Sequence, residues 1–233
     1  MSRKTVAIQQ PEHLPWLGFF NKMSRCDQFV YLDNVQFKKR YFENRNRIKY
    51  GETVRWLTVP VMNKGRYLQK ICDVEIDEGR YWRKKYMGMI KHAYSKKPFY
   101  EEYINEFEKI LYKNFAKLID LNLEIINWIR EKINITTASV MASQLKDYTE
   151  NGSDLILNIC KDCGADTYVS GPDGENYLNT ASFSDEGISI EYHNYVHPVY
   201  NQSGTAFISH LSAMDLLMNH GENSDKYIKG VPE

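Results

Sequence analysis

Residues 5–35 leave little freedom about topology. Thr5–Ile8 is a short apolar run of strand type, and "LGFFNKMSRC" places Leu17, Phe19, Phe20 and Met23 close to helical spacing. "DQFVYLDNV" from Asp27 is a second strand. Strand, loop, helix and strand close as a βαβ unit, whose two strands must run parallel. The C-terminal part repeats the pattern. "TASVMAS" is strand-like, "GSDLILNICKDCGA" is a helix that Ser153 caps and Gly164 ends, and "DTYVSG" is the next strand. "ISIEYHNYVHPVY" follows, and "LSAMDLLMNHG" is a last helix with Ser212 and Asp215 in capping-box spacing and Gly221 at its stop. The expected fold class is α/β, with a mainly parallel sheet.

Between these parts, residues of about 79–134 repeat apolar side chains every three or four positions, broken near Pro98, and predict a helical lobe packed on the sheet. "VRWLTVPV" (Val54–Val61) and "ICDVEID" (Ile71–Asp77) are expected strands, separated by an "NKGR" loop. Residues 1–233 are expected to form one domain, since a chain of this length buries its own core.

Lys plus Arg and Asp plus Glu number 30 each, which removes the global field that duplex DNA or an anionic membrane would require. No run approaches the roughly 20 apolar residues of a membrane span. "MSRKTVAIQQPE" lacks the apolar core of a signal peptide, so a cytoplasmic location is expected. Four scattered cysteines predict reduced thiols; Cys160 and Cys163 have redox spacing but sit at a predicted helix end with no second pair, which favours packing.

Ligands of open α/β sheets bind beyond the carboxyl ends of the strands. There the chain reads "QQPEHLPWLG": prolines fix the loop, Gly18 allows close backbone approach, and the following helix offers unpaired N–H groups to an anion. Gln9, Gln10 and Trp16 are candidate pocket residues, and His13, with an ordinary pKa near neutrality, is a candidate acid or base. Asp33, at the end of the second strand, is a second candidate base.

The segment "FKKRYFENRNRIKY" sets Lys38, Lys39, Arg40, Arg45, Arg47 and Lys49 against one carboxylate, Glu43. Arginine forks grip phosphate, and Asn44 and Asn46 suit hydroxyls or amides, so a pyrophosphate site is expected there. "YVSGPDGENYL" ends a strand at Ser170 and presents Asp173, Asn176 and Tyr177, with Asp173 a further candidate base. His193 and His197 are too loosely spaced for a metal site, and none is expected. A Walker sequence and a Gly-rich dinucleotide fingerprint are both missing.

With these residues in view, the chain resembles the WbqC-like family of bacterial proteins. The likeness is carried in order by "AIQQPEHLPWLGFFNKM", "DQFVYLDNVQFKKRYFENRNRIK", "WLTVPV", "GADTYVSGPDGENYL" and "LSAMDLLMNHG". The family motif His-Gln-Pro after the first strand is here Gln9-Gln10-Pro11, with a histidine only at His13. No catalytic imidazole stands at Gln9; either His13 substitutes for it, or the position orients and binds, which the Gln9 amide can also do. A looser similarity of topology links the opening to HIGH-type nucleotidyltransferases and pantothenate synthetases, without their histidine pair.

The resemblance implies a setting in O-antigen, lipopolysaccharide and other surface-glycan pathways, where substrates are nucleotide-linked sugars. The expected activity is transfer of an acyl or aminoacyl group, such as glycyl, to the amine of a nucleotide-linked amino sugar. Arg40, Arg45 and Arg47 would clamp the diphosphate. The activated donor could be made with ATP or delivered as aminoacyl-tRNA; the cofactor is otherwise open. Alternatives are a nucleotidylyltransferase or other sugar-nucleotide modifying enzyme, a noncatalytic nucleotide-sugar binding module, and a tRNA-dependent aminoacyl transferase.

Overall fold

The computed structural model describes residues 3–79, 81–202, 204 and 206–230. Met1 and Ser2 of "MSRKTVAIQQPE", and Arg80 of the helical segment, lie outside them. Five parallel strands, β1 (Thr5–Gln9), β2 (Gln28–Tyr31), β5 (Ala138–Met141), β6 (Thr167–Ser170) and β7 (Ser189–Tyr192), stand in the order β5-β2-β1-β6-β7. The α/β class with a parallel sheet is therefore as the sequence indicates. The chain walks outward from β1 to one edge, then crosses to the other side of β1 and walks outward again, which makes the β1/β6 gap a topological switch point.

Buried on both faces, β1 is apolar in sequence rather than alternating. Ala7 faces the larger core with α1 (Leu17–Ser24), whereas Val6 and Ile8 face α6 (Gly152–Asp162) through Leu155, Ile156 and Ile159. Seven of the eight residues of α1 are buried, Leu17–Met23, including two polar ones. Asn21 donates to Ile228 O at 2.6 Å and Lys22 Nζ donates to Ile8 O at 2.9 Å, so neither is left without a partner.

The helical segment consists of α2 (Trp82–Tyr94), α3 (Tyr100–Leu111) and α4 (Leu118–Lys132), whose buried residues join one core with Ala7 of β1, Phe29 of β2 and α1. Arg45–Tyr50 and Thr53–Thr58 form an antiparallel hairpin, β3 and β4, apart from the main sheet. β3 lies within the segment read from sequence only as a charged binding stretch. Ile71–Asp77 is not a strand: Ile71–Asp73 is a single 3-10 turn, and only isolated bridges, such as Val61 with Ile76, follow. Its apolar residues Ile71, Val74 and Ile76 are buried as expected, but their backbone pairs with three different segments instead of one neighbour.

Beyond β5 come the short α5 (Ala142–Leu145) and α6; α7 (Thr180–Asp185) links β6 to β7, and α8 (Ala213–His220) and α9 (Ser224–Lys229) close the chain. Ser153 does not cap α6; its Oγ accepts from Asn179 N at 2.9 Å, and Asn151 holds the cap position. Gly164 follows that helix at φ +64°. Ser212 does cap α8, accepting from Met214 N at 3.2 Å. Asp215 does not complete the box, because its Oδ2 accepts instead from the Tyr200 hydroxyl at 3.0 Å. The four cysteines are unbridged, and Cys160 and Cys163 are buried. Among the described residues no helix is long and apolar enough to cross a membrane.

Candidate active site

At the carboxyl ends of β1 and β6 the switch point opens into a cleft of about 460 Å³. Gln9, Gln10 and Glu12 supply one wall, Gly171, Asp173 and Tyr177 the opposite one, and Lys38 and Tyr41 the rim. Each follows from the fold. The first group leaves β1, the second leaves β6, and the rim belongs to the segment before β3. Gly174 is required in the second wall, since a Cβ there would stand 2.0 Å from Ser170 Oγ.

Glu12 is the chemically distinctive group. Gln9 Nε2 donates to its Oε1 at 3.1 Å, while Oε2 is buried with no partner. Burial lifts its pKa from 4.5 to about 7; the Gln9 hydrogen bond opposes this, and the nearby Glu43 carboxylate adds to it. Lys22, which also lines the cleft, is pushed by burial from 10.5 down to about 8. Glu43 is 1% exposed, both its carboxylate oxygens lack partners, and burial raises it to about 7. An acid poised near neutrality beside a cation of lowered pKa is the arrangement that proton transfer at neutral pH needs.

The first loop and the arginine segment lie side by side. His13 N donates to Phe42 O at 2.9 Å, and Asn46 Nδ2 donates to Leu14 O at 2.8 Å. That bond helps hold Leu14 at φ +47°, a costly conformation for a bulky residue. His13 itself points away from the cleft and is fully buried. Its Nδ1 donates to Asn122 Oδ1 at 2.9 Å, which leaves Nε2 to accept from the Tyr86 hydroxyl at 2.7 Å. Asn122 Nδ2 donates on to Glu43 O at 2.7 Å. Burial depresses His13 to about 4, so it stays neutral and ties the loop to α2 and α4.

Asp33 is likewise fully buried and accepts from Ser143 N at 2.9 Å and Ser143 Oγ at 2.5 Å, which fastens β2 to α5. Trp16 lies outside the cleft, stacked on His210 with centroids 5.3 Å apart and edge-on to Tyr195. Gly18 makes room for that indole rather than for a ligand. The start of α1 is covered there too, with Ala213 N donating to Pro15 O at 2.8 Å. Ser170 is buried and holds the turn, and Asn176 is exposed away from the cleft lining.

The arginine segment divides. Lys38 faces the switch-point cleft, whereas Lys39, Arg40, Asn44 and Arg45 line a second cleft of about 470 Å³ against the 58–66 segment. Arg47 joins neither; its Nη2 donates to His210 O at 2.8 Å. Asn46 is fully buried. Glu12 and Lys22 are not singled out by the sequence, and Glu43 is marked only as the one carboxylate of the arginine segment. Glu12 sits in the loop already marked as a ligand holder, and a lone acid between two prolines was the available signal.

No solved structure matches the chain. It is 32% identical over 228 residues to the uncharacterized protein Rv1507c of Mycobacterium tuberculosis, covering 97% of this chain and 98% of the relative. The model of the WbqC-like protein family matches residues 10–227, which takes in the switch-point loop, the arginine segment and every helix up to α9. The chain therefore belongs to the WbqC-like protein family.

Proposed function

We propose that this protein is an acyl- or aminoacyl-transferring enzyme of bacterial surface-polysaccharide assembly, acting on the amine of a nucleotide-linked amino sugar held in the switch-point cleft. The surface-glycan setting implied by the family resemblance supplies the substrate class. The observation that carries the chemistry is Glu12, a cleft-lining carboxyl raised to about 7 with one unpartnered oxygen.

In this reading Asp173 and Gln10 meet the sugar hydroxyls, and Tyr41 and Tyr177 flank the rings. Lys38 meets phosphate at the rim. The Glu12 carboxylate takes a proton from the sugar ammonium or from the attacking nitrogen. The amine lone pair forms the C–N bond to the donor carbonyl, and the bond from that carbon to the leaving group breaks, its electron pair departing with that group. Lys22, which lines the same cleft, supplies the positive charge that lowers the energy of the negative oxygen developing on the carbonyl. His13 and Asp33 hold the scaffold and touch no substrate.

Thermal stabilisation against UDP-, dTDP- and GDP-linked amino sugars tests the acceptor. A ligand at a hundredfold its dissociation constant adds about 2.7 kcal/mol. The sugar nucleotide that stabilises is then incubated with activated acyl and aminoacyl donors, and mass spectrometry looks for the acylated product. Glu12→Gln should retain the stabilisation and lose turnover by about 10²–10⁴-fold. A flat response to every sugar nucleotide removes the acceptor, and an undiminished Glu12→Gln rate removes the base.

A further inference from the structure

We propose that the second cleft, between the β3–β4 hairpin and the 60–66 segment, is a separate binding site for a nucleoside di- or triphosphate. Lys39, Arg40, Arg45, Lys64 and Arg66 all line it, with Asp77 the one carboxylate in the lining and Arg66 paired from outside it with Glu75 at 3.0 Å. The surrounding charge is as lopsided: residues 38–70 hold ten Lys and Arg and two Glu, in a chain whose totals balance at 30 and 30. So many like charges around one concavity repel one another, and an anion of several charges relieves that repulsion.

The walls are built rather than merely charged. Asn44 is 8% exposed, its Nδ2 donates to Val59 O at 2.8 Å, and its Oδ1 is buried with no partner. That leaves an acceptor for a ribose hydroxyl or an exocyclic amine. The Arg45 guanidinium lies 4.1 Å from the Trp56 ring centroid and is also held by the Arg40 carbonyl, while its Nε is buried and unpartnered. A guanidinium fixed on two sides loses little freedom on gripping phosphate. Arg40 sits at φ +64°, closing the turn that brings these groups together. Pro60, Val61 and Met62 give an apolar wall for a base, and 470 Å³ exceeds what phosphate groups alone would fill.

Five cations around one concavity fit contiguous phosphates better than a strand whose phosphates are spread along its length. The site does not depend on acyl transfer in the switch-point cleft. The stretch 38–45 is a wall common to both clefts, contributing Lys38 and Tyr41 to one and Lys39, Arg40 and Arg45 to the other.

Titration calorimetry of the whole protein with ATP, GTP, UDP, AMP, inorganic pyrophosphate and a short single-stranded RNA tests the assignment. A di- or triphosphate is expected to bind, with AMP and pyrophosphate each weaker by about tenfold or more, which is about 1.4 kcal/mol. Arg45→Ala should weaken the nucleotide by about tenfold or more. The double variant Lys64→Ala/Arg66→Ala should do likewise; both side chains are exposed and outside the hairpin strands, and the Arg66 ion pair with Glu75 that it removes is a surface one. Arg45, Lys64 and Arg66 do not line the switch-point cleft, so the response of these variants separates failure here from failure of the transfer chemistry. Equal binding of AMP or pyrophosphate, undiminished affinity in both variants, or RNA bound more tightly than every mononucleotide would overturn the proposal.

Discussion

The indole of Trp16 lies against the backbone of Gly18, so closely that a Cβ on the glycine would stand 2.3 Å from Trp16 Cη2. This contact seals the start of α1 beneath Trp16, Tyr195 and His210. Gly18→Ala must push the indole off both partners. Overpacking of this kind costs about 1–3 kcal/mol. At about 2–4 °C per kcal/mol for a chain of this size, a melting temperature several degrees lower is expected in differential scanning calorimetry. An unchanged melting temperature would mean that the indole swings away at no cost.

The same pair shows how far the sequence could be read. The βαβ opening, the three-helix segment and the place of the loop after β1 follow from local periodicity and a general rule about sheet ends, and all three are visible in about thirty residues at a time. Partners are not local. His13 was legible as a titratable residue in a ligand loop, but Tyr86 and Asn122, which keep it buried and neutral, come 73 and 109 positions later. Gly18 was legible as a point of close approach, but not what approaches it. β3 was hidden because Arg45, Arg47 and Lys49 gave its alternation the look of a solvated charge run, while Ile48 alone marked the buried face as apolar.

His13 gives the acid limb of stability a definite sign. Its pKa is about 4 in the fold against 6.5 unfolded, so as pH falls the unfolded chain takes up the proton first. The stabilisation is fully present above about pH 6.5 and is lost as pH drops towards 4, amounting to about 3 kcal/mol below that. Urea unfolding of wild type should show this loss. His13→Gln should be less stable at pH 7, because it disturbs the bonds to Asn122 and Tyr86, yet lose less between pH 7 and 4. Parallel curves would show that His13 is not the group responsible.

Glu43 acts in the opposite direction. Its folded pKa of about 7 exceeds the unfolded 4.5, so the fold binds the extra proton and stability declines as pH rises from 4.5 through 7. Above that window the buried, unpartnered carboxylate costs the fold about 3 kcal/mol. Glu43→Gln keeps the shape without the charge and should raise the urea midpoint at pH 8 while changing little at pH 4.5. Destabilisation at pH 8 would show that the ionised carboxylate has found a partner.

Asp33 separates holding from catalysis. Its carboxylate accepts both Ser143 hydrogen bonds at the end of β2 and lies in neither cleft. Asp33→Ala strands Ser143 N and should cost about 1–3 kcal/mol of stability. The same variant, assayed well below its melting point, should retain sugar-nucleotide affinity and turnover. A loss of turnover with stability intact would return Asp33 to the chemistry.

Transfer should depend on pH through two titratable groups that line the cleft, Glu12 and Lys22. Glu12 must be ionised to accept the proton, which it becomes above about pH 7, and Lys22 must be charged, which it remains below about 8. The rate kcat/KM should therefore rise through pH 7 and fall again above 8, a narrow bell whose limbs belong to the pair jointly, because each charge shifts the other. Lys22→Met should depress the rate across the whole range and remove the alkaline limb, while Glu12→Gln should remove the acid one. The experiment needs one control, a sugar-nucleotide dissociation constant at each pH, so that a changing affinity is not mistaken for a changing rate. If kcat/KM stays flat from about pH 5.5 to 9 with the dissociation constant also flat, neither group moves a proton in the rate-limiting step, and the chemistry belongs to another part of the cleft.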